Sequence, residues 1–579
     1  MPQILSTANT RWAAAFSVMI TIVAAVLGYY YDKFWWPPDE GAYAYVAQRV
    51  LAGDVLNGDV QDIHMGYVNI LNAIALALFG EQLVSLRIPL VIAGLLQACI
   101  LFYVFRCKGP IAGLLASVTL TCLSFVQFLN PTAHWYSLFL LIAIIAWLSW
   151  KIEDTPRQLF VVGLLVTTLF LFRQLSGVIA GIGILSYLLF RMPRGPGGSD
   201  AYLARILMLT MVAGLCGYLL AKTSFVTMLV FGSWPILILL IGTMHATVSN
   251  RVLLPRLAAM SAGGLAAVAP LLMYHIHYGS LETWFHDTIV TAFALTNLAF
   301  FDAPSYFAYI KFSIFSLLDP GFFEVALNNI YWVLLLLAAP LLGFLLLKRL
   351  LNEMRNNFTL HPLPYIAVFY SLISLHYQIP IYLFYTVGIT LCGLLFLLYQ
   401  PRANLRSSML VGTLIFLSVM GLYYHAAQPL TRGLVATLKG ERIALSSQRL
   451  PSPVGLSIQA EDHIVYQKIS ELVEDNVAPG QSILAIPANP EIYFITGRKA
   501  PVRFFNSAIG IVDNQELKGI IGTLKTNSPR LVFYRPDDKY NTPFGDQVMS
   551  FVRTRYELID TFSGFEVYRK IETTAQSRS

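Results

Sequence analysis

Long apolar stretches separated by short polar loops dominate most of the chain. From position 12 to about 426, runs of about 15 to 23 mostly apolar residues recur, and most are long enough to cross a bilayer core of about 30 Å. The pattern predicts a polytopic α-helical membrane protein with about thirteen transmembrane helices. The predicted spans are residues 12–30, 86–105, 109–129, 134–150, 158–172, 174–190, 202–221, 223–244, 253–275, 328–348, 361–379, 380–400 and 407–426.

The basic residues between the spans predict the orientation. If the N-terminus lies inside, every short inner loop is basic, as the positive-inside rule requires. A count shifted by one span would put most of these charges outside. The inner basic residues are Arg106, Lys108, Lys151, Arg157, Arg191, Arg194, Arg251, Arg256, Lys348, Arg349, Arg355, Arg402 and Arg406.

This orientation places residues 31–85, 276–327 and 427–579 outside. The first of these, here called the first loop, contains a polar helical stretch at 42–52. It also has an apolar stretch at 68–79, which is too short to span comfortably and is expected to lie along the membrane or dip into it. The second outer loop, 276–327, carries further histidines and carboxylates.

The last 153 or so residues have the composition of a soluble domain. Apolar patterns at 482–486, 530–533 and 565–568 predict strands, and helical spacing predicts a helix at 461–474. We therefore expect two domains: a transmembrane domain at 1–426 and a small extracytoplasmic α/β domain at 427–579.

Composition agrees with the membrane assignment, since 56% of the residues are hydrophobic and only 12% are charged. The net charge of +7 comes largely from loops between spans, so it indicates topology and no nucleic-acid partner. All five cysteines lie in or beside apolar spans, so neither a disulfide framework nor a cysteine metal site is indicated. The first span has no small-residue cleavage pattern after it and is expected to stay uncleaved.

An acidic pair, Asp39-Glu40, follows the first span by a few residues. The aromatic residues at 29–36 read as an interfacial belt, and Pro37 and Pro38 turn the chain. A carboxylate at the membrane surface loses solvation, and its acidic neighbour adds repulsion, so it can act as a general base. Alternatively, Asp39 caps a helix that begins at Gly41, and the two roles are compatible.

Three arginines, Arg87, Arg173 and Arg432, lie at outer ends of spans, against the positive-inside trend. Their planar guanidinium groups suit a lipid phosphate. Snorkelling or pairing with an outer-loop carboxylate is the alternative. Arg173 interrupts two apolar runs with almost no loop.

Two histidines, His134 and His376, lie at the outer ends of spans. Either could bind substrate, or serve as a structural hydrogen-bonding residue. No spacing predicts a metal site. The sequence specifies no cofactor, and a divalent metal remains an open alternative.

An uncleaved first span, an outer loop that opens with an acidic pair and a regular basic-inside pattern together resemble the GT-C integral-membrane glycosyltransferases. The resemblance is to the branch of protein O-mannosyltransferases and lipid A aminoarabinose transferases. The stretches that carry it are Asp39-Glu40-Gly41-Ala42-Tyr43, Ala52-Gly53-Asp54, Phe79-Gly80-Glu81, Leu86-Arg87-Ile88-Pro89 and Ile492-Tyr493-Phe494-Ile495-Thr496-Gly497-Arg498.

The resemblance implies transfer of a hexosyl or pentosyl group from a polyprenyl-phosphate donor to a lipid, glycan or protein acceptor, with inversion. Asp39 would be the base, Glu40 would support it, and Arg173 and Arg432 would stabilise the leaving phosphate. Some family members have an acidic residue where this chain has Thr132-Ala133-His134, so either His134 takes over part of that role or the site differs there. The resemblance places the enzyme in a bacterial inner membrane, with its N-terminus inside and its C-terminal domain outside.

Two other classes remain open from the sequence. A transporter or flippase of lipid-linked sugars would also be polytopic, but it should show mid-membrane charges and matching halves. A non-catalytic envelope assembly protein would tolerate loss of the acidic pair.

Overall fold

The computed structural model describes residues 2–150, 155–192, 200–245, 248–295, 305–318, 326–353, 360–401, 404–425 and 453–571. These ranges are mainly helical and contain one small sheet near the C-terminus. The chain is a polytopic α-helical membrane protein, as predicted, because ten helices of the described ranges are long and apolar enough to cross a membrane.

The helices before residue 426 follow the apolar pattern closely. Single 3₁₀ or π turns extend several of them, among them α10, α13, α17 and α19. The helices are α1 Pro2–Tyr30, α2 Pro37–Leu51, α3 Tyr67–Phe79, α4 Leu83–Val104, α5 Pro110–Cys122, α6 Ala133–Ser149, α7 Pro156–Phe172, α8 Gln174–Arg191, α9 Tyr202–Lys222, α10 Phe225–Thr227, α11 Ser233–His245, α12 Asn250–His277, α13 Leu281–Phe285, α14 Ala292–Leu295, α15 Tyr306–Leu317, α16 Ala326–Glu353, α17 Pro362–Tyr370, α18 Pro380–Leu398 and α19 Leu405–Met420.

The count of thirteen spans is not confirmed. The ten long apolar helices match ten of the predicted spans, and the remaining three predicted spans correspond to α6, α7 and α17. α6 and α7 have 17 residues each, which makes a helix about 26 Å long. That is slightly less than the hydrocarbon thickness, so length and composition alone do not make these helices spans.

The chain breaks at both positions where the sequence predicts a break between adjacent spans. Arg173 is extended, with φ −149° and ψ 115°, and separates α7 from α8. Pro380 begins α18 after the short turn that follows α17. Proline suits this first helical position because its missing N–H would have no partner there. Residues at both breaks line the same cavity.

The first loop contains two helices, α2 and α3. α2 begins at Pro37, with Trp36 as its N-cap residue, so the alternative that Asp39 caps a helix starting at Gly41 is wrong. The two prolines start the helix earlier than the acidic pair suggests. Asp39 and Glu40 lie instead in its first turn, where a negative charge interacts favourably with the helix dipole.

The C-terminal part, residues 453–571, forms a four-stranded sheet with helices around it, here called the tail. Strand order is β1-β2-β4-β3; β1 is parallel to β2, and β4 is antiparallel to both its neighbours. Its elements are α20 Ala460–Asn476, β1 Ile483–Ile486, α21 Pro490–Thr496, α22 Ser507–Gly510, α23 Asn514–Thr526, β2 Leu531–Tyr534, α24 Pro543–Arg553, β3 Tyr556–Phe562 and β4 Phe565–Lys570.

The predicted helix and three predicted strands of the tail are confirmed to within two residues. The sequence analysis missed β3, an edge strand whose side chains are mostly partly or fully exposed. Such a strand lacks the apolar alternation that marks a half-buried one. The predicted domain boundary after residue 426 lies in a range outside the described residues and stays a prediction.

The tail packs directly on the first loop. The backbone of Ser457 exchanges hydrogen bonds with that of Asp32 and Phe34, each at 2.8 Å. The ring of Tyr45 stacks on that of Tyr493, with 4.9 Å between centroids. α2 is therefore held from one side by the membrane helices and from the other by the tail.

Gly41 marks the closest approach of α2 to the tail. A Cβ atom at this position would lie 2.5 Å from Cα and 2.6 Å from Cβ of Glu491, in α21. Since real Cβ atoms do not approach backbone that closely, only glycine fits here without moving α21.

We expect Gly41→Ala to weaken the packing of the tail on α2 and to destabilise the protein by about 1–3 kcal/mol, as over-packing does elsewhere. The thermal unfolding midpoint of the purified protein in lipid nanodiscs measures this effect. Gly519→Ala is the matched control, because Gly519 lies in helix α23 with no atom within 4 Å of an added Cβ. An unchanged midpoint for Gly41→Ala would contradict the tight contact.

Candidate active site between the membrane helices and the tail

A cavity of about 470 Å³ lies where the first loop, the membrane helices and the tail meet. We call it the central cavity. Its walls come from α2 and the following loop, from the start of α6, from the breaks at Arg173 and Pro380, and from the tail between α21 and α24. The volume is within the range of about 300–1,000 Å³ that is usual for small-molecule sites.

Asp39 lines the central cavity from the first turn of α2. Burial raises the pKa of its carboxyl to about 6, although Coulombic interactions with Lys539, His64 and Arg173 act in the opposite direction. Within the described ranges, the carboxylate forms no ion pair. The group is thus a stronger base than an ordinary aspartate and is open to a ligand.

Glu40 points away from the central cavity and pairs with Arg87. The two form a bidentate contact, Nη2 to Oε1 at 2.7 Å and Nε to Oε2 at 3.2 Å, and each is about 1% exposed. Oε1 of Glu40 also accepts a hydrogen bond from the backbone N–H of Trp36 at 3.3 Å, at the start of the helix. Glu40, and not Asp39, therefore completes the N-terminus of α2.

Arg87 uses all of its N–H donors inside the protein. Besides Glu40, it donates to the backbone carbonyls of Tyr31, Lys33 and Phe34, at 3.0, 2.9 and 2.5 Å. It does not line the central cavity. No donor is left for a lipid phosphate, so the geometry gives Arg87 the predicted alternative role, pairing with a carboxylate of the outer loop.

Arg173 faces the central cavity from the break between α7 and α8. Its Nη2 donates to the hydroxyl of Tyr382 at 3.2 Å. Its Nε is buried and has no hydrogen-bond partner in the described part of the chain. A buried donor of this kind is costly unless a ligand binds it. The guanidinium is therefore suited to an anion within the cavity.

Lys539 supplies a second cation, from the tail. Its ammonium lies 5.9 Å from the ring centroid of Trp36 and 5.0 Å from that of Tyr540. Neither Lys539 nor Arg173 pairs with a carboxylate among the residues that the structure describes. The central cavity thus holds the carboxyl group of Asp39, whose pKa is raised, and two cations that form no ion pair with a described carboxylate.

The two predicted histidines occupy different places. His134 lines the central cavity, and its ring stacks on that of Tyr385 at a centroid distance of 3.6 Å. His376 lies behind the cavity wall, where its Nδ1 is 2.9 Å from the hydroxyl of Tyr218. The structure therefore brings together Asp39, Arg173 and His134, whereas Arg432 lies outside the described residues.

Sequence reasoning missed other polar groups of the central cavity. Asp62 and His64 reach it from the first loop, and Tyr43 reaches it from α2. The Asp-x-His spacing was a usable signal, because both residues lie in the same outer loop as Asp39. Lys539 carried no such signal, since nothing in the tail sequence shows that this turn faces the membrane helices.

A buried carboxylate of the second outer loop fixes the position of the first loop. Asp287 is fully buried and accepts two hydrogen bonds from Arg503 of the tail, at 2.5 and 3.2 Å. It also accepts one from Asn57 and one from Gln61, each at 3.0 Å. One carboxylate therefore ties both outer loops and the tail together beside the cavity.

No group of three or more histidine, cysteine, aspartate or glutamate side chains is placed to hold a metal ion in the described ranges. In the central cavity, one oxygen of Asp62 is already engaged by His64 at 2.7 Å. A divalent metal therefore stays an open alternative. The side chains of the cavity themselves supply a base and an anion site.

This arrangement suits displacement at a carbon that carries an anionic leaving group. Asp39 can take a proton from an attacking hydroxyl, and Arg173 can hold an anion in a site partly closed to water. The rings of Trp36, Tyr382 and Tyr385 give the cavity apolar faces that suit a sugar ring.

No protein-family model matches the chain, and no curated protein sequence matches it. Among solved structures, it is similar to ArnT from Cupriavidus metallidurans bound to undecaprenyl phosphate, at 13% identity over 98% of this chain and 99% of that one, with a TM-score of 0.49. It is also similar to an oligosaccharyltransferase of Archaeoglobus fulgidus tethered with an acceptor peptide, at 11% identity over 97% and 74%, with a TM-score of 0.45.

Proposed function

We propose that this protein is an inverting glycosyltransferase that moves a sugar from a polyprenyl-phosphate carrier to an acceptor at the outer face of the membrane. The observation that carries the proposal is the central cavity itself. It holds Asp39, whose pKa is raised to about 6, together with two cations that form no ion pair with a carboxylate in the described ranges. The sequence resemblance to the GT-C branch supplies the reaction class.

The reaction follows from the position of these groups. The acceptor hydroxyl gives its proton to Asp39 while its oxygen attacks the anomeric carbon of the sugar. The bond from that carbon to the lipid phosphate breaks, and Arg173 stabilises the negative charge that the phosphate keeps. One displacement of this kind inverts the configuration at the anomeric carbon.

Burial of Asp39 has a direct chemical use in this mechanism. A carboxylate with a pKa near 4 is a weak base toward a hydroxyl, and a pKa of about 6 lies closer to neutral pH. General-base catalysis is most effective when the pKa of the base is near the working pH. The desolvation of the first turn of α2 therefore improves the base.

The location follows from the predicted orientation. The proposal puts the central cavity and the tail on the outer side of a bacterial inner membrane, where a lipid-linked donor can be used without a nucleotide. The sugar is a hexose or a pentose, and the acceptor is a lipid, a glycan or a protein. Mass spectrometry of glycolipids and envelope glycans from a deletion strain tests the proposal. The sugar that disappears identifies the transferred sugar, and the molecule that loses it identifies the acceptor.

A transporter or an assembly protein predicts a different result. In a reconstituted assay with a polyprenyl-phosphate-linked sugar, the proposed enzyme forms a covalent glycoside and releases the lipid phosphate. A flippase moves the intact donor across the bilayer, and an assembly protein leaves it unchanged. Movement of donor without a new glycosidic bond would overturn the proposal.

Arg173→Gln should weaken the binding of undecaprenyl phosphate. A hydrogen bond from a charged group contributes about 1.5–3 kcal/mol, so we expect an affinity loss of about 10- to 150-fold. Titration of undecaprenyl phosphate into protein reconstituted in nanodiscs measures it. Arg157→Gln is the matched control, because Arg157 is exposed at the opposite end of the same helix, α7. Equal losses in both variants would argue against a phosphate site at Arg173.

A further inference from the structure

A continuous set of hydrogen bonds runs along the wall of the central cavity beside Asp39. Nδ1 of His64 lies 2.7 Å from Oδ1 of Asp62, and Nε2 of His64 lies 3.2 Å from the hydroxyl of Tyr43. That hydroxyl lies 3.2 Å from Oγ1 of Thr132. All four side chains line the cavity. The mechanism proposed above uses none of them.

The surroundings of His64 determine which ring nitrogen is free to take a proton. Asp62 is buried, and its carboxylate can only accept hydrogen bonds, so it holds the proton of His64 on Nδ1. Nε2 is then the nitrogen that can accept a proton, and the carboxylate stabilises the imidazolium that forms. The side chain of His64 is 13% exposed, which gives the ring a path to water.

Tyr43 links this histidine to the helix that carries the base. Tyr43 lies four residues after Asp39 in α2, so the two side chains share one face of the helix. The cavity also contains other titratable side chains: His134, Arg173, Lys539, Tyr309, Tyr377, Tyr382, Tyr385 and Tyr540. Among them, His134 is the other imidazole, and its ring stacks on that of Tyr385, whereas Arg173 stays charged.

We propose that Asp62 and His64 form a proton relay that restores Asp39 after each transfer. The inference rests on the proposed function. Asp39 gives its newly acquired proton to the hydroxyl of Tyr43, and Tyr43 gives its own proton to Nε2 of His64. The imidazolium then releases the proton of Nε2 to water and keeps the proton of Nδ1, which Asp62 holds. No electrons are transferred, and the side chains return to their starting protonation states.

His64 acts on the reaction only through Asp39, from which it receives the proton. It is therefore a positioning residue and does not touch the reacting carbon. A purely structural role would be to hold the loop at 61–65 against α2. The two roles can be distinguished because a relay needs an imidazole group. A small molecule can supply that group once the side chain has been removed, whereas it cannot hold the loop in place. His64 lines the cavity, so its removal leaves a space connected to it.

The test compares transfer rates of the full-length protein in nanodiscs with a polyprenyl-phosphate-linked sugar as donor. The variants are His64→Ala, His64→Gln and Asp62→Asn. His277→Gln is the control, because His277 is exposed at the end of α12 and does not line the cavity. We expect kcat to fall about 10- to 100-fold in the His64 variants, with the donor KM nearly unchanged. Added imidazole should restore part of the kcat of His64→Ala.

Two results would overturn the relay while leaving the proposed function in place. One is a His64→Gln enzyme as fast as the wild type when Asp39→Asn is inactive. The other is a His64→Ala enzyme whose lost rate does not return with imidazole and whose thermal unfolding midpoint falls. If the wild-type protein itself transfers no sugar, the proposed function fails, and the relay fails with it.

Discussion

Replacing Asp39 with Asn should remove most of the proposed sugar transfer and leave the fold intact. The amide keeps the shape of the side chain, but it cannot take the proton of an acceptor hydroxyl, so a loss of about 10²- to 10⁴-fold in kcat is expected. Transfer is measured with a reconstituted lipid-linked donor. The same change at Asp59, an exposed residue of the same loop, should leave the rate unchanged. Full activity of Asp39→Asn would exclude this residue as the base.

The stability of the same variant separates chemistry from structure. Burial raises the folded-state pKa of Asp39 from 3.8 to about 6. The contribution of Asp39 to the free energy of unfolding is therefore most favourable below pH 4, where the carboxyl group is protonated. This contribution is lost as the pH rises through 6, above which the charged carboxylate destabilises the fold. One pKa unit corresponds to about 1.4 kcal/mol, and partial exposure reduces the effect. At pH 7, Asp39→Asn should be as stable as the wild type, or more stable by about 1 kcal/mol.

The rate should follow the same ionisation. Because only the carboxylate can act as base, kcat/KM should rise with pH up to about 6 and then level off. A series of transfer rates between pH 4.5 and 8 measures this limb. An acid limb near pH 4 would contradict the desolvated position of Asp39.

Replacing Glu40 with Gln should instead damage the fold. The change leaves the guanidinium of Arg87 buried without its counter-charge, and breaking a buried pair from one side costs about 3–5 kcal/mol. The unfolding midpoint in nanodiscs should fall clearly, with activity lost in proportion to the unfolded fraction. Adjacent carboxylates thus give opposite phenotypes, one inactive and stable, the other active when folded but unstable.

The double variant Glu40→Leu with Arg87→Met provides the control for Glu40. With both charges gone, no unpaired ion remains, and much of the lost stability should return. If Glu40→Gln were inactive but as stable as the wild type, Glu40 would take part in the chemistry, contrary to its position behind the cavity wall.

Local sequence patterns were enough to predict most helices and strands, but they predicted only part of the candidate site. The apolar runs and the break at Arg173 follow from residue types in one stretch, and both were predicted. Asp39 and Arg173 reach the same cavity because two separate breaks in the helical pattern face each other. Pairing of Arg87 with an outer-loop carboxylate was predicted as an alternative, but its partner Glu40 was not, since the pair joins α2 to α4 across 47 positions. Lys539 is more distant still, on a turn of the tail.

The contribution of the tail to the cavity also bears on how the protein is made. Membrane helices enter the bilayer as the ribosome produces them, whereas Lys539 and Tyr540 are translated after every one of those helices. The walls around Asp39 are therefore completed only when the tail has folded onto α2. A nascent chain with all its helices inserted would still have an open, water-filled site.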